Sequence, residues 1–230
     1  MLKGRMSSVK NSIKKCVGLL IGNIAKSGLD KIQYEARKAY CNIDPSAFWV
    51  MPECCGCPSK IVMEERTCIY KGSTFIMSST DLDKGRFIMK KGAAAAQGLT
   101  VVTLAESATP VVGKWMEDVS DSGKSYVDRD IIVHEDVWIG ANVTLLYGAE
   151  IGRGSIIGAG SVVRKKIPPY SIVMGNPAKI VSFVFTPEEI LEHERILYKE
   201  EERLPFEILK HNYEKYYLNR IKEINSYIRL

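Results

Sequence analysis

Aliphatic residues recur at every sixth position between Val133 and Pro168. The six-residue units are VHEDVW, IGANVT, LLYGAE, IGRGSI, IGAGSV and VRKKIP, and each opens on an aliphatic residue. A helix repeats near 3.6 residues and a single strand near two, so neither explains a strict repeat of six. A hexapeptide repeat is typical of a parallel β-helix, in which three units form one triangular coil of about 18 residues.

The repeat also predicts which residues stack. Successive coils lie one strand spacing apart, about 4.8 Å. We therefore expect Val133 beneath Ile151, Ile139 beneath Ile157, and Leu145 beneath Val163. The same phase continues upstream in a weaker form from about Ile61, and we interpret this part as the first coils. Its opening residues are Met63, Ile69 and Phe75, then, after a break near Asp81, Phe87, Ala93 and Leu99.

These patterns divide the chain into three parts. Residues 1–60 are predicted to form an N-terminal helical segment, with an amphipathic basic helix over 8–40. Residues 61–181 form the β-helix, which is interrupted by an excursion at 104–132 where the repeat is lost. Residues 182–230 form C-terminal helices, the first of which begins at Thr186-Pro187 with a capping box and runs to about Arg203. The second begins near Pro205.

Composition and charge narrow the function. The chain is 46% apolar and 26% charged, as expected for a soluble globular protein. Residues 1–60 carry ten Lys/Arg and four Asp/Glu, a balance of +6 against +5 for the whole chain, so the rest is near −1 and nucleic acid is not an expected partner. The basic N-terminal helix has two interpretations: it packs on protein, or it lies on an anionic membrane surface. No apolar run reaches the ~20 residues of a membrane span.

Cysteine and histidine provide little support for a metal site. Cys54, Cys55 and Cys57 form a cluster, but no second pair exists to complete a zinc site, and we interpret them as reduced thiols. The chain has three histidines. Too few of them lie within the repeat region to form the zinc site of the β-helical carbonic anhydrases. We therefore predict no metal.

Three stretches resemble the C-terminal signature of a known enzyme family: DVWIGANVTLL, IGAGSVV and IPPYSIVMGNPAKIV. They are similar to the left-handed β-helix acetyltransferases, in particular to the maltose, galactoside and xenobiotic O-acetyltransferases and their relatives that acetylate capsule and lipopolysaccharide sugars. The similarity is specific over 131–181 and weaker back to Ile61. It implies a mainly β fold, a left-handed parallel β-helix of hexapeptide repeats with N-terminal and C-terminal α-helices.

The resemblance further implies acetyl-CoA as the acyl donor. The family binds the pantetheine arm against the backbone of small residues at the edge of the coils. Ala141 and Ala159, 18 residues apart, match these positions. Arg164, Lys165 and Lys179 match the family positions that contact the nucleotide phosphates, for which Arg and Lys are suitable donors.

The general base departs from the family pattern. Relatives carry a catalytic histidine shortly after a coil ending Gly-Leu-Thr-Val-Val-Thr, and this chain has that sequence at 98–103 followed by Leu-Ala-Glu-Ser. Glu106 stands where the histidine is expected, and a carboxyl with an ordinary pKa of about 4.3 is a weaker base than imidazole. His134, directly after the excursion, is the second candidate; its alternative interpretation is a surface histidine without a catalytic role.

The sequence thus predicts an acetyltransferase that moves an acetyl group from acetyl-CoA to a hydroxyl of a sugar or glycan precursor by direct attack. A second hypothesis is a catalytically silent, CoA-binding homologue, and a third is a serine or amino-sugar acyltransferase, which has no motif here. The family packs three columns with each active site between neighbours, so the resemblance implies a homotrimer. Acetyl-CoA as donor favours a cytoplasmic location.

Overall fold

The computed structural model describes residues 42–50, 52–77, 83–108, 112–115, 118 and 124–228, together with the single residues 22 and 28. The helix predicted over residues 8–40 lies outside the described residues, apart from those two positions. The central part of the predicted excursion, including most of residues 109–123, also lies outside them.

From Asn42 to Phe183 the described strands form a column with three faces, each a sheet of mostly parallel strands. The first face contains β1 (Asn42–Ile43), β4 (Ile61–Met63), β7 (Phe87–Met89), β12 (Ile131–Val133), β15 (Glu150–Ile151) and β18 (Lys166–Ile167). The second contains β2 (Phe48–Trp49), β5 (Cys68–Ile69), β8 (Ala94–Ala95), β13 (Trp138–Ile139), β16 (Ile156–Ile157) and β19 (Ser171–Met174), closed by the antiparallel β20 (Lys179–Phe183). The third contains β3 (Cys54–Cys55), β6 (Thr74–Ile76), β9 (Thr100–Val102), β14 (Thr144–Leu146) and β17 (Val162–Val163).

Chain order cycles through the three faces, which is the topology of a parallel β-helix. We call the turn from the first to the second face the first corner, the next turn the second corner, and the return to the first face the third corner. The predicted stacking is confirmed, because Val133 pairs with Ile151, Ile139 with Ile157, and Leu145 with Val163.

The upstream coils differ from the prediction in two respects. The column begins at Asn42 rather than Ile61, because β1, β2 and β3 pair with the next coil. The residue that stacks on Met63 is Met89, not Phe87, so the assigned phase was wrong by two residues. The reason is the turn-rich stretch between β6 and β7, whose length is not a multiple of six and which leaves the column at the third corner.

The core is the stack of side chains that point into the column. Phe75 is fully buried in this stack, with its ring edge-on to those of Trp49 and Phe87 at centroid distances of 5.8 and 5.4 Å. Met63, Ile139 and most other inward residues are inaccessible to solvent. Alternation of inward and outward positions along each short strand therefore produces one continuous apolar column.

The C-terminal part covers one end and one side of the column. Helix α1 (Pro187–Leu197) starts at Thr186 with the predicted capping box, in which Thr186 and Glu189 exchange hydrogen bonds. It ends at Leu197, earlier than the predicted Arg203, and a short 3₁₀ turn follows. The second predicted helix is two helices, α2 (Phe206–Tyr216) and α3 (Ile221–Ile228). Among the described residues no helix is long and apolar enough to span a membrane.

Candidate functional site

Backbone hydrogen bonds join successive coils at the second corner. The Lys71 carbonyl accepts from Gly98 N at 3.0 Å, the Gln97 carbonyl from Asn142 N at 2.9 Å, and the Ala141 carbonyl from Gly160 N at 2.8 Å. Lys71, Gln97, Ala141 and Ala159 therefore occupy the same position in four consecutive coils. We call this line of residues the ladder corner, and it contains both alanines that the sequence analysis assigned to cofactor binding.

Small residues keep the ladder corner narrow. A Cβ on Gly140 would lie 2.7 Å from the Ala159 nitrogen, so the two turns pack directly on each other and leave no space for a side chain. Ala141 is partly accessible and Ala159 is exposed. A ligand lying along this corner can therefore approach the backbone of both coils closely.

Three cations meet beyond the upper end of the third face. Arg164 and Lys165 follow β17, and Lys179 opens β20; all three are exposed and line one pocket of about 220 Å³. The segment that carries Lys179 is held beside β17 by a hydrogen bond from Ala178 N to the Val162 carbonyl at 3.0 Å. The fold thus brings together the three residues that the sequence analysis assigned to phosphate binding.

Part of the predicted excursion is a β-hairpin at the third corner. Its strands are β10 (Leu104–Ala108) and β11 (Lys124–Asp128), and Glu106 pairs with Tyr126 within it. The excursion is shorter than predicted, because Ile131 is already part of the column. At the base of the hairpin Arg129 N donates to the Thr103 carbonyl at 3.1 Å.

A buried ion pair anchors the hairpin to the first coils. Lys60 Nζ lies 3.0 Å from Asp128 Oδ2, and the Lys60 side chain is only 1% exposed. A Cβ on Gly85 would overlap the Asp128 carboxylate, so glycine is required there for the pair to form. A second and exposed pair, Arg86 with Asp130, lies beside it.

His134 lies at the first corner, away from the hairpin and from the ladder corner. Its Nε2 is 3.1 Å from Glu150 Oε1, and Glu150 Oε2 is 2.5 Å from Lys166 Nζ. The hydrogen bond from Lys166, helped by the one from His134, lowers the pKa of Glu150 against the opposing effect of burial. The fold therefore does not bring His134 together with Glu106, the other predicted base.

The sequence analysis missed a polar network that holds the C-terminal helices to the column. Glu194 of α1 is 1% exposed and accepts hydrogen bonds from the Tyr170 hydroxyl at 3.0 Å and from Arg153 Nη1 at 3.3 Å. Burial, with the neighbouring Glu194 carboxylate, raises the pKa of Tyr170. Arg153 also lies over the Tyr198 ring, 3.9 Å from its centroid. This network could not be predicted, because nothing in the hexapeptide pattern indicates that the outward-facing Arg153 has a partner on a later helix.

The cysteines do not form a metal site with other described residues. Cys57 is buried, and Cys55 and Cys68 are partly exposed. In the part of the chain that the structure describes, no group of three or more His, Cys, Asp or Glu side chains has a geometry that could hold a metal ion.

The topology and the ladder corner define the class of protein as a hexapeptide-repeat β-helix. A family profile described as "Bacterial transferase hexapeptide (six repeats)" matches residues 130–165, the most regular part of the column. Over this stretch the predicted resemblance to the hexapeptide-repeat acetyltransferases is confirmed.

Curated relatives match about a quarter of the chain. A probable macrolide acetyltransferase of Lysinibacillus sphaericus is 51% identical over 61 residues, 26% of this chain and 34% of that protein. A chloramphenicol acetyltransferase of Klebsiella aerogenes is 48% identical over 59 residues, 26% of this chain and 28% of that protein. The matched region thus spans about a third of the length of these relatives.

Solved structures share the fold over a longer range. A hexapeptide-repeat acetyltransferase of Vibrio cholerae has a TM-score of 0.55 and 20% identity, over 68% of this chain and 81% of that one. The same Vibrio protein, solved with acetyl coenzyme A, has a TM-score of 0.53 over 67% and 78% of the two chains. A maltose O-acetyltransferase of Clostridium difficile has a TM-score of 0.53 and 21% identity, over 66% and 74%.

The anchoring of the hairpin gives a stability prediction. Replacing Asp128 with alanine leaves the Lys60 ammonium buried without its partner, and breaking a buried pair in this way typically costs about 3–5 kcal/mol. We expect urea denaturation to show a loss of that size for Asp128→Ala. The matched control is Arg86→Ala, which removes the exposed pair and should cost about 1 kcal/mol or less. Equal losses in the two variants would contradict the assignment of Lys60–Asp128 as the main anchor.

Proposed function

We propose that the chain transfers an acetyl group from acetyl-CoA to a hydroxyl of a sugar or glycan precursor. The observation that carries the proposal is the ladder corner, where Ala141 and Ala159 leave the backbone accessible, with a cluster of three cations beyond the upper end of the adjoining third face. This arrangement suits a long neutral arm with phosphates at one end. The Vibrio structure of the same fold that holds acetyl coenzyme A supports this choice of donor.

The residues present fit the parts of coenzyme A. The pantetheine amides would lie against the backbone of Ala141 and Ala159, where the absence of larger side chains leaves room. Arg164, Lys165 and Lys179 would hold the phosphates, since cations in one pocket offset several negative charges. With the phosphates at that end, the thioester lies further down the ladder corner, toward Gln97 and Lys71.

We propose direct transfer without a covalent enzyme intermediate. The acceptor hydroxyl oxygen attacks the thioester carbonyl, the carbon–sulfur bond breaks, and the thiolate leaves as CoA. A base takes the hydroxyl proton and returns a proton to the sulfur. Glu106 is our proposed base, because it belongs to the hairpin, whereas His134 lies at the first corner and already contacts Glu150.

The proposed assembly is a homotrimer of left-handed columns. The outward side chains of the second face form an unbroken apolar stripe in register: Phe48, Cys68, Ala94, Trp138, Ile156 and Ile172. Trp138 is 49% exposed in the single chain, so a second copy is a fitting cover for this stripe. Within one chain the hairpin leaves the column at the third corner and is therefore separated from the ladder corner. In the proposed trimer, the hairpin of a neighbouring copy would lie at the ladder corner instead.

We propose a cytoplasmic location, where acetyl-CoA is available.

The alternative is a silent homologue that binds coenzyme A and has lost the base. The observation in its favour is the glutamate in place of the family's histidine, in a chain with no histidine before residue 134. Binding and turnover separate the two hypotheses, since both predict affinity for coenzyme A and only the first predicts acetylated product.

Coenzyme A binding should depend on the cation pocket. We expect Lys165→Ala to weaken the Kd of coenzyme A about tenfold in calorimetry, because one charge-assisted hydrogen bond is worth roughly 1.5–3 kcal/mol. Binding of pantetheine, which has no phosphates, should be unchanged. The control is Lys166→Ala, since Lys166 pairs with Glu150 outside this pocket. If Lys165→Ala weakens coenzyme A and pantetheine equally, or if Lys166→Ala has the larger effect, the phosphates do not bind in this pocket.

The base is tested by thiol release from acetyl-CoA with a panel of sugars. Glu106→Gln should lower kcat/KM at least about 100-fold, the usual contribution of a general base, with the Kd of coenzyme A unchanged. His134→Ala should stay within about threefold of the unmodified chain. The reverse pattern would transfer the role to His134. Tight binding without turnover in the unmodified chain would favour the silent homologue.

Assembly is tested by light scattering on the full chain. We expect three times the chain mass of 25.7 kDa. Trp138→Arg should shift the protein to smaller species, because an arginine in an apolar interface is buried without a partner. Ile196→Arg, an exposed position on α1, is the control and should leave the mass unchanged. A monomeric unmodified chain would reject the trimer.

A further inference from the structure

A second pocket lies at the lower end of the ladder corner. It has a volume of about 380 Å³ and is lined by Val50, Tyr70, Lys71, Ala96 and Gln97. Lys71 and Gln97 are members of the ladder corner, two coils and one coil below Ala141. With coils about 4.8 Å apart, the pocket is about 5–10 Å from Ala141 along the column.

The pocket has one aromatic wall, and its lining is mainly apolar with two polar side chains. Tyr70 is 47% exposed, so one face of its ring remains accessible. The ring is held edge-on to Phe48 at a centroid distance of 5.8 Å and an interplanar angle of 62°, which limits its rotation. Val50 and Ala96 add apolar surface, while the Lys71 ammonium and the Gln97 amide supply hydrogen-bonding groups.

The direction of the donor decides what this pocket can hold. The three cations lie toward the opposite end of the column, so a donor lying along the ladder corner presents its thioester toward the pocket. The pocket is much larger than a two-carbon acetyl group, and its volume is in the range of sites for complete small ligands. It therefore has room for the molecule that receives the acetyl group.

We infer that this pocket, which we call the Tyr70 pocket, is the acceptor subsite and that it takes a sugar in its ring form. The inference rests on the proposed function. One face of a pyranose ring consists of C–H groups and can stack on Tyr70, while the ring hydroxyls can bond to the Gln97 amide and the Lys71 ammonium. An open-chain polyol offers the same hydroxyls but no flat apolar face.

The test compares ring and open-chain acceptors in the full-length protein. Thiol release from acetyl-CoA is measured with methyl glucoside, maltose, a methyl galactoside and sorbitol, for the unmodified chain and for Tyr70→Ala. We expect acetylation of at least one ring sugar and little of sorbitol. Tyr70→Ala should raise the KM for the ring sugar at least about tenfold and leave the KM for acetyl-CoA within about twofold.

Two variants separate stacking from general damage. Tyr70→Phe keeps the ring face and should restore the acceptor KM to within about threefold of the unmodified chain. Ile196→Ala removes an exposed apolar side chain on α1, far along the chain from the pocket, and should change neither KM. Sorbitol acting as well as the ring sugars, or equal changes in both KM values for Tyr70→Ala, would overturn the inference.

Two further measurements test whether the Tyr70 pocket binds the acceptor. Octanoyl-CoA tests whether the pocket instead holds the acyl chain of the donor. If Tyr70→Ala changes the KM for octanoyl-CoA but not the KM for the ring sugar, the pocket belongs to the donor and the inference is overturned. If no sugar is acetylated, the proposed function fails, and saturation-transfer NMR with the same sugars then tests the pocket by itself. Binding to the unmodified chain that is lost in Tyr70→Ala would retain a saccharide site; no binding would reject it.

Discussion

The structure depends on the burial of one continuous stack of apolar side chains within the column. Short strands of two or three residues cannot be stable alone, because each offers few hydrogen bonds and little buried surface. They become stable when every inward residue lies on another, as Ile139 lies on Ile157 and Phe75 lies between Trp49 and Phe87. The register of the stack then fixes the position of every corner, and with it the outward groups available for binding.

This constraint explains where the column can accept extra residues. Both long departures from the repeat, between β6 and β7 and between β9 and β12, leave at the third corner. The second corner keeps its turn hydrogen bonds in every coil from Lys71 to Gly160. A straight line of backbone groups needs such regularity, whereas a hairpin that leaves the column needs an insertion. The fold separates the two requirements by assigning them to different corners.

The regular half of the fold could be predicted from sequence because its period is an intrinsic property of the strands and turns. The stacking of Val133, Ile139 and Leu145 on the next coil follows directly from a repeat of six. The early coils were harder, since an insertion of arbitrary length resets the phase and placed Phe87 where Met89 belongs. The first coil was missed altogether because Asn42–Cys55 has no glycine-marked hexapeptides.

The candidate site was predictable only where its residues share a corner. Ala141 and Ala159 are one coil apart, so their proximity follows from the repeat, and Lys179 could be added through the family resemblance. Contacts between distant segments were not predictable. Lys60 and Asp128 meet because an early turn and a late strand leave the same corner. Glu194 reaches Arg153 and Tyr170 because α1 folds back on the column.

The distribution of charge between the corners supports a separation of structural and binding roles. At the first corner, cations and carboxylates are already paired: Lys166 with Glu150, and Arg153 with both Glu135 and the buried Glu194. The Arg153–Glu194 pair holds helix α1 on the column and would lose that role if a substrate displaced one partner. Beyond the upper end of the third face, Arg164 and Lys165 lie exposed beside Lys179 in one pocket. Three exposed cations that line one pocket create a local positive potential, and this potential favours an anionic ligand such as the polyphosphate proposed above.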